Sequence, residues 1–132
     1  MKKKILIIQG SSLKKINIKT DTSFFLGLEA QRRSYQIYYY EPKDLSFING
    51  KVTALCSKVK FVDNPKQPIK VLNKTVLNLL QAKLILIRSE PPFNQQYINT
   101  TFILDYISKK VRIINHPKAL REVPEKLFSL RL

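Results

Sequence analysis

The chain is short of the residues that most often carry chemistry. It has one cysteine, Cys56, and one histidine, His116. A single cysteine excludes an internal disulfide, and a zinc site of the usual kind needs several Cys or His ligands. A reducing, cytoplasmic setting is therefore expected. Glycine occurs three times, at Gly10, Gly27 and Gly50, each standing alone. Neither G-x-G-x-x-G nor G-x-x-x-x-G-K-S/T is present, which excludes the common glycine-rich phosphate loops. Carboxylates are scarce, nine against 24 Lys and Arg, and Asp63, Asp105 and Glu125 are too scattered to suggest a Mg²⁺ site. The opening MKKKILIIQGSS has a basic start but only about five apolar residues in a row, too few for a signal peptide. It is shorter still against the roughly 20 apolar residues of a membrane span, so no membrane association is expected.

What is present suits one globular domain. The 132 residues are 44% hydrophobic and 10% aromatic, enough for a core of that size. The seven prolines fall mostly between apolar runs rather than in a low-complexity tract. The formal net charge of +15 at pH 7 raises a polyanion partner, because clustered Lys and Arg neutralise phosphates and release counterions. The lysines here are scattered, however, and the joint richness in Lys, Ile and Asn fits the base composition of the coding DNA. Nucleic-acid binding is disfavoured. The run YQIYYY resembles a base-stacking platform, but a dense core strand explains it more simply.

Periodicity gives an alternating order of elements. KILIIQ, residues 4 to 9, is a continuous apolar run, the pattern of a strand covered on both faces. Asp21 is placed to cap a helix over TSFFLGLEAQRR, with Phe24, Phe25, Leu28 and Arg32 at helical spacing. QIYYY is a second strand. Asn49-Gly50, between two alternating segments, is a strong hairpin signal, and CSKVKFV extends that meander. TVLNLLQA reads as a weak helix or turn. LILIR is a strand, and QYINTTFILDYISKK a helix with Tyr97, Phe102 or Thr101, Leu104 and Ile107 along one side. VRIIN is the last strand, followed by two short helical pieces, PKALR and PEKLFSLR.

This order predicts an α/β fold: a mostly parallel, Rossmann-like sheet with helices on both faces and an inserted β-hairpin. Ligands in such sheets collect at the carboxyl ends of the strands. Arg88 stands where LILI ends, and Pro91 and Pro92 hold the connection extended before the next helix. A guanidinium there suits a carboxylate or phosphate. Pairing with Glu90 or with a carbonyl accounts for Arg88 equally well on spacing alone.

Three blocks carry a resemblance: INIKTDTSFFLGLEAQRRSYQIYYYEPKDLSFINGKV (16 to 52), LILIRSEPPFNQQYINTTFIL (84 to 104) and IINHPKALREVPEKLF (113 to 128). INIKxDxSF, LEAQRR, the R-x-D/E-P-P-F loop and N-x-P-x-x-L-R followed by EKLF resemble the amino-terminal domain of prokaryotic glutathione synthetase. The order and nearly the spacing of that family are kept, and residues 53 to 83 match weakly. The resemblance implies a pre-ATP-grasp domain over 1–121 and a truncated start of the ATP-grasp domain over 122–132. It implies an ATP- and Mg²⁺-dependent ligase that activates the cysteine carboxylate of γ-glutamylcysteine for attack by the glycine amine. It implies substrate contacts by Arg88 and Lys19, an ATP-phosphate contact by Lys126, and a tendency to form homo-oligomers.

The departures also carry expectations. Ser11-Ser12 stands where the family commonly has Asp-Pro, and the turn at Lys110-Val111 is one residue short. The chain stops at FSLRL, where a family member continues for well over a hundred residues. ATP and Mg²⁺ are therefore not expected to bind well to this chain alone, and no catalytic or metal-ligating residue is assigned within it. His116 reads as a turn residue and Cys56 as a packing residue, while Lys126, taken without the resemblance, is an ordinary helix lysine. Three functions remain in view: a truncated or split synthetase, inactive alone or completed by a separately encoded ATP-grasp partner; a non-catalytic binding or scaffold module on the same fold; and a basic nucleic-acid-binding protein.

Overall fold

Five consecutive residues with no exposed face, Ile5–Gln9, form the first strand, and such a strand needs neighbours on both edges and a covering layer on both faces. The computed structural model describes residues 4–11, 13, 22–64, 66–88 and 95–115. In chain order its elements are β1 (Ile5–Gln9), α1 (Thr22–Arg32), β2 (Gln36–Tyr40), β3 (Leu45–Ile48), β4 (Lys51–Phe61), β5 (Ile69–Asn78), β6 (Leu84–Ile87), α2 (Gln95–Ile107) and β7 (Arg112–Asn115).

The seven strands form one sheet in the order β3-β4-β2-β1-β6-β7, with β5 also paired to β4. β2, β1, β6 and β7 are parallel neighbours, in a register that sets Leu6 beside Ile37 and Leu84, and Leu84 beside Arg112. β4 runs antiparallel to β2, β3 and β5. Ala54 pairs with Leu45 and Leu77, and Ser57 with Tyr39 and Lys74. β2 and β3 thus lie end to end along one edge of β4, and β5 covers the other. The hairpin between β3 and β4 turns at Asn49 (φ 53°) and Gly50 (φ 73°), both left-handed as a tight primed turn requires.

Strand alternation divides the interior into two cores. Leu6, Ile8, Ile37 and Tyr39 pack with Phe24, Leu26 and Ala30 of α1. Ile5, Ile7, Tyr38 and Tyr40 pack with Leu104 and Ile107 of α2 on the opposite face. Helices on both faces and the inserted hairpin match the expected α/β architecture. β4 belongs to both layers: Val52, Ala54 and Cys56 lie on the α2 side, Val59 and Phe61 on the α1 side.

Several local expectations are corrected. Phe25 is 53% exposed, because the inward stripe of α1 runs through Phe24, Gly27 and Ala30, and Gly27 leaves room for the Phe61 ring. Phe102 is 71% exposed, since Thr100, Leu104 and Ile107 face inward and Phe102 turns away with them satisfied. Tyr106 also faces outward and packs edge-on against Phe47 of the hairpin at 4.7 Å between ring centres. TVLNLLQA is neither helix nor turn throughout: it begins as the end of β5 and closes in a single 3-10 turn, Leu79–Gln81, capped by Asn78. The segments assigned to 116–132, and the cap assigned to Asp21, lie outside the described residues.

Candidate functional site at the reversal of strand order

The chain leaves β1 through α1 to reach β2 on one side, and leaves β6 through α2 to reach β7 on the other. The direction of travel reverses at the β1–β6 pair, and the crevice outside the carboxyl ends of such strands is where α/β sheets bind ligands. Gln9 and Ile87 are the last paired residues there. The next residue is Arg88, whose backbone N–H donates to the carbonyl oxygen of Gln9 at 2.9 Å. The ladder is thereby extended by one bond, and Arg88, half-buried, is anchored by its own main chain at the mouth of the crevice.

Of the three residues assigned to ligands in the sequence, Arg88 alone falls among the described residues. Lys19, Lys126, Glu90, the two prolines of the PPF loop and His116 lie outside them.

Beneath the rim is a polar pair that sequence reasoning missed. Tyr40 donates its hydroxyl to Oε1 of Gln9 at 2.7 Å, with Gln9 1% and Tyr40 2% exposed. Burial, reinforced by the neighbouring Cys56 thiol, pushes the Tyr40 phenol up from its ordinary range, so it remains a protonated donor. Tyr39 donates to the carbonyl oxygen of Ser11 at 2.6 Å and fastens the start of the loop after β1. The available signal was Gln9 itself, a polar residue ending the apolar run ILIIQ.

Two hollows adjoin these strand ends. One, of about 230 Å³, lies between the sheet and α2 and is lined by Gln9, Ile87, Thr101, Leu104 and Asp105 among others. The other, of about 170 Å³, sits at the end of β2 beside Tyr40, Glu41, Lys43, Asp44 and Lys74. Cys56 is fully buried, and burial, with the Asp44 charge adding to it, pushes its thiol up to about 12. It is a packing residue and not a nucleophile. Among the described residues no three of His, Cys, Asp and Glu come together as a metal-binding group, and no helix is long and apolar enough to cross a membrane.

The chain resembles known proteins along most of its length. Residues 4–121 match the family described as prokaryotic glutathione synthetase, N-terminal domain. Glutathione synthetase of Mesorhizobium japonicum is 38% identical over 128 residues, 97% of this chain and 41% of the relative. That of Buchnera aphidicola subsp. Schizaphis graminum is 40% identical over 118 residues, 89% of this chain and 37% of the relative. That of Vibrio parahaemolyticus is 38% identical over 115 residues, 86% of this chain and 36% of the relative. The chain thus spans about two-fifths of the length of these relatives. By this likeness the chain belongs to the prokaryotic glutathione synthetase N-terminal domain family.

Proposed function

We propose that the chain is the substrate-side domain of an ATP-dependent ligase that joins γ-glutamylcysteine to glycine in the cytoplasm. The observation that carries the reading is the position of Arg88, main-chain anchored beside Gln9 at the reversal of strand order. A guanidinium there presents a forked set of donors to a carboxylate, and a fixed backbone reduces the freedom lost on binding. In this role Arg88 holds a carboxylate of the dipeptide, Lys19 approaches the same substrate from the loop after β1, and Lys126 reaches the ATP phosphates.

ATP with Mg²⁺ supplies the activation of the cysteine carboxylate in this family. The described residues bring no carboxylate cluster together for the metal, and the sequence has no glycine-rich phosphate loop. On this reading the metal ligands, and the nucleotide contacts other than that of Lys126, come from the remaining length of the relatives, in continuation or on a second polypeptide. The 132 residues alone are inactive on this reading.

The test is ATP-dependent glutathione formation from γ-glutamylcysteine and glycine with Mg²⁺, by the 132-residue chain alone and mixed with the ATP-grasp part of a related synthetase. Product in the mixture alone supports the proposal. No product in either, with the chain folded and the ATP-grasp part shown to bind ATP, favours a non-catalytic binding module on the same fold.

A further inference from the structure

β5 is an outermost strand of the sheet. Among the described residues it pairs with β4 alone, so the main-chain N–H and C=O groups along its other edge meet no strand. An edge of this kind is a template for a further strand. β5 is ten residues long, and the run 70 to 76 is exposed throughout.

Register sorts the side chains of the β4–β5 ribbon onto two faces. Lys58, opposite Asn73, and Lys60, opposite Lys70, fall on one of them. Three lysines that are separated in sequence are thereby gathered in one small area. Lys60 and Lys70 are directly opposed like charges, which strand pairing disfavours, and none of the three makes an ion pair among the described residues. The other face is largely apolar. Leu55 and Val76, opposed in register, are 46% and 64% exposed, and Val71 stands on the same side beyond Lys74. Lys74 shares its hollow with Glu41 and Asp44. Lysines on an edge strand also guard it against stray pairing, but that role leaves the exposed Leu55, Val71 and Val76 without a purpose.

We infer that β5 is a docking edge for an extended segment of another protein that alternates acidic and apolar residues, added to the sheet as a further strand. The main chain of that segment takes up the open edge of β5. Its period of two sends carboxylates to the lysine face and apolar side chains to the face of Val71 and Val76. Lys70 is adjacent to the added strand. Lys58 and Lys60 stand one strand further in, roughly 5 Å, which long Lys and Glu side chains span. A carboxylate between Lys60 and Lys70 also removes their repulsion. A second copy of this chain fits less well, since it brings lysines to lysines and each copy carries a net charge of +15. Nucleic acid satisfies the lysines but offers no strand backbone and nothing for the apolar face. This edge is remote from Arg88 in the strand order, and the inference does not rest on the ligase reading.

The experiment is a two-dimensional ¹⁵N–¹H NMR titration of the 132-residue chain with a synthetic peptide that alternates Val and Glu and matches the exposed run in length. Saturable shifts along the β5 amides are expected, with affinity that weakens as salt is raised. A peptide of the same composition with its Val and Glu grouped in blocks should bind at least about tenfold more weakly, as should the alternating peptide N-methylated along its length so that it cannot donate. Lys70→Glu sets an acid opposite Lys60 within the fold, so the melting midpoint should hold or rise while affinity for the peptide falls about tenfold. Those opposite movements separate lost binding from lost folding. Absence of saturable shifts along β5 would overturn the inference and leave the lysines as a guard on the edge. Equal shifts with single-stranded oligothymidylate would overturn it in favour of a general polyanion surface. Shifts of the β5 amides with protein concentration alone, with a doubled mass by light scattering, would overturn it in favour of a second copy.

Discussion

The side-chain amide of Gln31 closes on the peptide of Phe61 in both directions: Nε2 donates to the Phe61 carbonyl oxygen at 2.9 Å, and the Phe61 N–H donates to Oε1 at 2.6 Å. A helix side chain here does for the end of β4 what a neighbouring strand does elsewhere. Gln31→Ala should lower stability by about 1–3 kcal/mol, because two partly buried backbone groups lose their partners together. Urea unfolding measures this, and an unchanged midpoint would show that water replaces both bonds without loss.

Gly27 faces the same Phe61 ring so closely that an added Cβ would collide with two of its carbons. The ring is held edge-on by Phe24 at 5.6 Å between centres, which limits its retreat. Alanine is the better helix former by up to about 1 kcal/mol, yet Gly27→Ala should destabilise, because overpacking in a rigid site costs about 1–3 kcal/mol. Combined with Phe61→Leu, the loss should be less than additive, and thermal melts of the two single variants and the double variant test this.

Stability should fall in alkali from about pH 9. The folded state holds the Cys56 thiol protonated to about pH 12, against an ordinary value of 9.0. Between those values the unfolded chain has released a proton that the folded chain retains, so rising pH favours unfolding, by at most about 1.4 kcal/mol per pH unit for one group. Above pH 10 Tyr40, also shifted upward by burial, acts in the same direction. Cys56→Ala should flatten the stability curve between pH 9 and 10. An equal slope in both proteins would assign the alkaline loss to other groups.

In the reconstituted enzyme, Arg88→Ala should raise KM for γ-glutamylcysteine with little change in that for ATP. A charge-assisted hydrogen-bonded contact of about 1.5–3 kcal/mol corresponds to roughly ten- to a hundredfold. Arg88→Lys should recover part of the loss at most, since a lysine cannot donate as a fork. Equal KM values for wild type and Arg88→Ala would remove Arg88 from the substrate site.

Legibility in the sequence followed burial. The strands Ile5–Gln9, Gln36–Tyr40 and Leu84–Ile87 are apolar because they lie between two layers, and the turn at Asn49-Gly50 is dictated by positive φ at both residues. Both kinds of signal are local. β5 was missed because seven consecutive residues, Lys70–Val76, are exposed; its strand conformation comes from pairing with β4 and not from its own pattern. Phe25 and Phe102 misled because aromatic side chains at helical spacing do not say which side carries the core. The position of Arg88 at the end of β6 was legible from its place after LILI. Gln9 was not, since its pairing with Tyr40 joins residues 31 positions apart, and no short motif records such a contact.

The long strand β4 gives its first half to one core and its second half to the other. The two layers therefore share a single backbone segment and should melt together rather than as separate sandwiches. Damage centred on Cys56 should be felt along one ribbon as far as Phe61, and the helices on opposite faces, though they bury different sides of the sheet, should unfold as one cooperative unit.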